Sequence, residues 1–446
     1  MKILYVSQYF PPEPGAPAAR VYENCRAWVK SGADVSVLTA FPNHPTGVVP
    51  QEYRGKLYQS EESAGIKVHR VFIYPAANRG FWGRSLNYIS FALSALIFGV
   101  FKIKPPDIVV ATSPQFLVAL SGYLLARILR ARFVFEVRDL WPASIVAVGA
   151  LQEGSVLVRL LEMLEGYLYR HADHIVVVTK PFKRLIKSKG VPDSKISVLE
   201  NGVDLNLFRA GPKPQDLLHE HKLDGKFVVS YIGTVGMAHG VGMILSAAKQ
   251  MKELKDIHFV VVGEGAERAE LCARAEKEGL TNVSFFGAVP RPKVREWIVA
   301  SDVCAVTLRN EALFRKVIPS KMFEIMACAR PIILSVGGES ARLLKKSRAG
   351  IIIDPENFDQ LGAAMLRLKE QPGDMLEMGA NGRAFVEAHF DRNVLANSYL
   401  ELLTALGSGT TRSVRKAPRR RNASGSENLR LPQKRNDAET QNIMVS

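Results

Sequence analysis

Short runs of β-branched and aromatic residues alternate with longer stretches of helical periodicity along most of this chain. That alternation restricts the fold to open, largely parallel sheets flanked by helices. In the first half, strands are expected at Lys2–Ser7, Asp34–Thr39, His69–Tyr74, Asp107–Thr112, Phe133–Asp139 and His174–Thr179. Runs such as IVVAT and HIVVVT are apolar on both faces, as strands covered by helices on both sides must be. A second series is expected at Phe227–Gly233, His258–Gly263, Val283–Gly287, Val303–Leu308, Pro331–Val336 and Gly350–Ile353. The break between them falls near Lys195–Gly211, and a chain of 446 residues is too long for one core. The expected organisation is a first domain over 1–205, a second over 206–388, a helix within 389–407 returning to the first, and a tail over 408–446.

That tail is polar and lacks apolar periodicity, so it is expected to be disordered. From Thr411 to Ser446 it holds nine Lys and Arg against three Asp and Glu, within a chain of net charge +16. Such a surplus suits anionic partners: nucleic acid, a lipid surface or an acidic substrate. Nucleic acid is the weaker reading, because the tail lacks aromatic residues for base stacking. The four cysteines are scattered, with no CxxC pair, which argues against a zinc site and a disulfide framework and for a reducing, cytoplasmic setting. The N-terminal MKILYVSQYF reads as a strand rather than a signal peptide. Leu86–Phe101 is apolar but, at sixteen residues, short for a bilayer span, and Arg79, Arg84, Lys102 and Lys104 flank it. It reads either as a buried helix or as one lying at a membrane surface.

Ligands of open α/β sheets bind outside the strands' carboxyl ends, where helix N-termini favour anions. The loop SQYFPPEPGAPAAR follows the first strand, and its Gly15 either lets a phosphate approach or serves a turn. The loop GTVGMAHG after Phe227–Gly233 offers Gly233, Gly236 and Gly240, with His239 as a possible donor. It is not followed by GK[ST], so it is not a nucleotide-triphosphate loop. In PSKMFEIMACARPIIL, Ser320 is expected to cap a helix carrying Lys321 and Glu324. A carboxylate there can accept both hydroxyls of a ribose, and Lys321 can neutralise a leaving phosphate, although Glu324 on its own also reads as a solvated helix residue.

The order of these segments, with ENGVD, VVVGEGAERAEL and NVSFFGAVP, resembles family 4 of the retaining glycosyltransferases over about residues 1–405. FEVRDLWPASIVAVGAL and PSKMFEIMA are similar to the branch that assembles O-antigen and capsule, including N-acetylfucosamine-type transferases. The resemblance implies a GT-B fold, two facing Rossmann-like domains with a cleft between them. It also implies transfer of a sugar, a HexNAc or deoxy-HexNAc, from a UDP-linked or other nucleoside-diphosphate donor to a polyprenyl-diphosphate-linked saccharide at the inner membrane face. Gly15 and Ala16 stand where a glycine pair approaches the diphosphate. Glu324 matches the second glutamate of ExxxxxxxE, and Lys316 replaces the first. Thr234 and His239 occupy the positions of the usual basic pair, leaving Lys321, with Arg309 or Arg315, to supply the charge. Gly263, Gly265, Val289 and Pro290, with Ser320, complete the donor side.

On the acceptor side, Asp139 reads either as a base toward the incoming hydroxyl or as a helix cap, and His44 as catalytic or loop-structural. No DxD sequence occurs, so a mechanism without metal or other cofactor is expected. A nucleotide-sugar epimerase of the same two-domain shape is the alternative enzyme reading.

Overall fold

Eight strands make the first sheet because their apolar faces on both sides can be covered: β1 Lys2–Val6, β2 Asp34–Ala40, β3 Tyr58–Ser63, β4 Ile66–Val71, β5 Ile108–Thr112, β6 Arg132–Val137, β7 His174–Val177 and β8 Ile196–Val198. In the computed structural model, which describes residues 1–408 apart from 14, 45, 77–80, 114 and the side chain of Phe81, their order is β3-β4-β2-β1-β5-β6-β7-β8. The second sheet holds β9 Phe227–Ile232, β10 Ile257–Val262, β11 Val283–Phe286, β12 Val303–Thr307, β13 Ile332–Ser335 and β14 Gly350–Ile352, ordered β11-β10-β9-β12-β13-β14. Both halves are thus Rossmann-like. The expected tail and Arg79 fall outside the described residues, the tail from residue 409 onward.

β1 pairs in parallel with β2 on one side and β5 on the other, and β9 with β10 and β12. The strand order therefore reverses beside β1 and again beside β9. These two switch points open crevices at the strands' carboxyl ends, where Ser7–Gly15 and Gly233–Gly240 lie.

Two strands escaped the sequence reading. β3, YQSEES, runs antiparallel to β4 and is too polar to announce itself. Its turn puts Ala64 and Gly65 at φ 52° and 79°. β4 also begins three residues before the expected His69, and its pairing ends at Val71. β8 is a three-residue edge strand inside the segment read as the junction.

The chain passes between the halves at residues 199–204 and again at 390–392, and the two passages are zipped together. Val203 N–H donates to Phe390 O at 2.9 Å and Arg392 N–H to Val203 O at 3.0 Å. Helix Arg392–Gly407 then lies on helix Ala16–Lys30. Trp28 Nε1 donates to Ala396 O at 2.9 Å, its ring meets Tyr399 edge-on at 5.2 Å, and Tyr399, Leu402, Leu403 and Leu406 join the core beneath β1.

The apolar stretch near Leu86 is a helix of 22 residues, Phe81–Lys102, not sixteen. The expectation that it is too short to span a bilayer fails: it is the one helix among the described residues long and apolar enough to do so. Its N-terminal turns carry on through Trp82–Ser85, beyond where the apolar run begins. One side nevertheless packs on the domain, burying Phe91 and Ala95 and bonding Asn87 to Gln8 and Asn43.

Candidate functional site

At the second switch point β9 is followed by Gly233, whose φ of 139° lies where only glycine is unstrained. The GEG turn after β10 packs directly on this loop. Val235 N–H donates to Glu264 O at 2.9 Å, and Glu267 N–H to Val235 O at 3.1 Å. A Cβ on Gly263 would stand 1.9 Å from Gly233 O, and one on Gly265 2.0 Å from Val235 O. Both glycines are required by loop–loop contact, which fixes the backbone at the mouth of the crevice.

Lys321, at the start of helix Lys321–Ala327, reaches under this loop. Its Nζ is buried and has no hydrogen-bond partner among the described residues. It stands 3.7 Å from the ring centroid of Tyr231 and 2.6 Å from where a Gly233 Cβ would be. Tyr231 is itself anchored, its hydroxyl donating to Thr234 O at 2.6 Å. Burial pulls the Lys321 amine down to about 7, with Glu324 opposing. A cation–π contact is worth about 1–2 kcal/mol, whereas burying an ammonium costs several. An anion entering at Gly233 would supply the missing acceptor.

His239 supplies no charge there. Burial holds its imidazole near 4, and Nδ1 lies 3.3 Å from Gly236 O, so it is neutral and can act only as a dipolar donor or acceptor. Thr234 offers only a hydroxyl. Arg309 is paired with Glu267 at 2.8 Å, and Arg315 lies against Gly337 and bonds Asn310. The basic charge at the crevice therefore comes from Lys321.

Ser320 does not cap its helix as expected. Its backbone is helical (φ −61°, ψ −27°) rather than extended, which turns the hydroxyl away from the following amides. The Met322 and Phe323 amides are taken by Pro319 O and Ser320 O at 3.1 Å each, which leaves the Ser320 and Lys321 amides for a ligand. Lys316 acts through its carbonyl, which accepts from Thr179 Oγ1 of the first domain at 2.9 Å. Val289 packs on the second domain's core, and Pro290 is the exposed residue before helix Arg291–Ala300.

Glu324 is half-buried, and its Oε1 is held at 3.3 Å by Arg291 Nη1. Burial raises its carboxyl, Arg291 opposes and Glu23 adds to the rise. Arg291 and Glu23 were missed in the sequence, since partners 268 residues apart leave no local pattern.

In the first domain, Gly15 (φ 109°) precedes helix Ala16–Lys30, where no side chain caps the N-terminus. Pro17 in its first turn has no N–H and Ala19 N–H bonds Gly15 O, so the amides of Ala16 and Ala18 are those at the first switch point. Glu13, also missed, is buried and accepts from the amides of Asn43 at 3.0 Å and His44 at 2.9 Å, tying two crevice loops together. Burial pushes its carboxyl up to about 7, and its Oε2 has no partner among the described residues. The His44 ring meets Tyr9 edge-on at 5.1 Å in a small pocket shared with Gln8, Arg84, Asn87 and Tyr88, and burial lowers its basicity.

Asp139 is held as a turn residue. Its amide donates to Ser113 Oγ at 3.0 Å; burial raises its carboxyl, while Ser144 and the Leu140 amide hold it back. The structure thus joins Gly233, Thr234, Tyr231 and Lys321, and joins Glu324 to Arg291, whereas His44 and Asp139 are held by first-domain partners.

Similarity to known proteins extends over both halves of the chain. A model described as a glycosyl transferase 4-like domain matches residues 15–202, and one described as glycosyl transferases group 1 matches 215–385. The chain is similar to a probable glycosyltransferase WbjE of Pseudomonas aeruginosa, 26% identical over 72% of this chain and 81% of that protein. It is similar also to a putative colanic acid biosynthesis glycosyl transferase WcaI of Escherichia coli K12, 23% identical over 82% and 91%. Among solved structures, sucrose-phosphate synthase of Thermosynechococcus elongatus superposes with a TM-score of 0.70 at 18% identity, over 92% of this chain and 99% of that one. The Anabaena protein HepE in complex with UDP and glucose superposes with a TM-score of 0.69 at 18% identity, over 91% and 100%. These neighbours share the GT-B fold.

Proposed function

The chain is a glycosyltransferase built from a glycosyl transferase 4-like domain and a group 1 domain, and on that premise we propose that it moves a HexNAc or deoxy-HexNAc, of the fucosamine type, from a UDP-sugar to a lipid-linked saccharide in surface polysaccharide assembly. The observation that carries the donor half is the buried, unpartnered Lys321 ammonium beneath Gly233 at the second switch point. There it meets the donor diphosphate, and the Ser320 and Lys321 amides at the helix start add donors to the same oxygens. Glu324 takes the ribose hydroxyls through its carboxylate. UDP in a neighbour of the same fold and a polysaccharide role in a relative's name support the choice of donor and pathway class.

As the glycosidic bond to the donor breaks, negative charge grows on the diphosphate. Lys321 and helix-start amides stabilise it without a metal, and transfer proceeds with retention. The acceptor hydroxyl enters from the first domain, where Glu13, His44 and Asp139 fix the crevice loops. The transferase relatives favour this reading over the epimerase.

The membrane half rests on a surface. Leu86, Ile89, Leu93 and Ile97 of helix Phe81–Lys102 and Val156, Leu160 and Met163 of helix Val156–His171 are exposed. Helix Phe116–Ile128 lies between them, bonding Ala92 through Ser121 and Tyr167 through Tyr123. Lys102, Lys104, Arg127 and Arg159 are exposed around this face, a charge pattern suited to the inner, anionic face of the cell membrane.

Thermal shift with nucleoside diphosphates tests the donor reading. A bound nucleotide at about 100 times its Kd stabilises by roughly 2.7 kcal/mol, and indifference to all of them sinks it. Activity surviving excess EDTA is expected; loss restored by magnesium would overturn the metal-free step.

A further inference from the structure

Four charged side chains form an alternating row across the join between the two halves. Arg392 Nη1 lies 2.8 Å from Glu23 Oε2, Arg291 Nη2 lies 3.1 Å from Glu23 Oε1, and Arg291 Nη1 lies 3.3 Å from Glu324 Oε1. Glu23 belongs to helix Ala16–Lys30 of the first domain, whereas Arg291 and Glu324 belong to helices of the second. Arg392 sits where the chain recrosses, bonded to Gly202 O. Glu23 and Arg392 are 6% and 7% exposed and Arg291 and Glu324 half-buried, so the inner pair is shielded from water and its charges interact strongly.

One guanidinium is therefore divided between carboxylates of opposite domains. Its fork is planar and rigid, so seating Nη2 on Glu23 dictates where Nη1 stands. Phe208 fixes the plane further, its ring centroid 5.1 Å from the Arg291 Cζ. Only one oxygen of Glu324 is taken up by this contact.

We propose that Glu23 is a positioning residue for the donor site: it draws Arg291 toward the first domain, so that Arg291 orients Glu324 without capturing both its oxygens. Without the Glu23 charge, Arg291 turns wholly to Glu324 and competes with the ribose hydroxyls. The donor-binding carboxylate of one domain is thus set by a residue of the other, and any change in the join is felt at the ribose. This inference rests on the donor reading of Glu324.

The test is a double-mutant cycle on nucleotide affinity, using whichever of UDP, GDP, ADP and dTDP most stabilises the wild-type protein. Glu23→Gln is expected to weaken binding about five- to tenfold, and Glu324→Gln to weaken it further. In the Glu324→Gln background, Glu23→Gln should change affinity by less than about twofold, since coupled residues are not additive. Wild-type affinity in Glu23→Gln, or the same loss in both backgrounds, overturns the proposal. A silent Glu324→Gln instead overturns the donor reading. Glu23→Gln leaves the buried Arg392 and half-buried Arg291 guanidiniums without their shared carboxylate and risks unfolding. The pair Glu23→Gln with Arg392→Gln removes one charge of each sign and must show the same weakened binding; wild-type affinity there also sinks the proposal.

Discussion

Lys321 Nζ stands 3.7 Å from the centre of the Tyr231 ring and has no hydrogen-bond acceptor, although it is buried. The arrangement trades stability for binding. Methionine has nearly the shape of lysine without the charge, so Lys321→Met is expected to raise stability by about 1–3 kcal/mol. The same change removes a charge-assisted contact to the diphosphate, worth about 1.5–3 kcal/mol or roughly 10–100-fold in nucleotide affinity. Chemical denaturation and nucleotide titration of one preparation measure both. A variant that loses stability would show that Lys321 already has its partner.

Lys321 also gives nucleotide binding a pH signature. Its amine titrates near 7 in the folded protein, well below the ordinary lysine value, because of burial. A bound diphosphate favours the ammonium and raises that value. Between pH 7 and 9 the free protein has lost the proton that the complex keeps, so binding takes one up. The second ionisation of a terminal phosphate lies near 6, so the slope in this window belongs to the protein. Nucleotide Kd should rise above pH 7 by up to about tenfold per unit. Calorimetry in buffers of different ionisation heat should register the proton, and Lys321→Met should abolish both effects.

Glu13 makes a separate prediction about stability. Its carboxyl is raised from 4.5 to about 7, chiefly by burial, so between those values the folded state holds a proton that the unfolded state has released. Its contribution is full below about pH 4.5 and is lost as pH rises through 7. Glu13→Gln keeps a carbonyl for the Asn43 and His44 amides and cannot ionise. The variant should match wild type at pH 5 and exceed it at pH 8. The difference should grow by at most about 1.4 kcal/mol per pH unit. A constant difference across this range would place the titration elsewhere.

What the sequence disclosed and what it hid separate along physical lines. Strands such as β5 and β9 were legible because burial on both faces leaves an uninterrupted apolar run. β3 was not, since an edge strand can be polar throughout. Gly233 and Lys321 could be picked out because each sits beside a strand end or helix start. Their meeting under a single loop could not, and neither could the neutrality of His239, which depends on burial. Ser320 misled because capping needs an extended backbone as well as a hydroxyl. The row Arg392, Glu23, Arg291 and Glu324 is drawn from four separate segments, so no local pattern betrays it.

The exposed face of helix Phe81–Lys102 yields the last prediction. Leu93 and Ile97 are 57% and 54% exposed on a helix whose opposite side is fixed to the sheet, so substituting them leaves the core intact. Each large aliphatic side chain buried in lipid contributes about 1.5–3 kcal/mol, and each surrounding Lys or Arg about 1 kcal/mol toward anionic headgroups. Wild-type protein is expected to sediment with vesicles containing phosphatidylserine, less at high salt, and weakly with neutral vesicles. Leu93→Glu with Ile97→Glu should weaken binding by about 100-fold or more. The melting temperature and nucleotide shift should stay unchanged, since both sites lie on the side of the helix turned away from the sheet. Vesicle binding that survives the double change would move the membrane contact to another face.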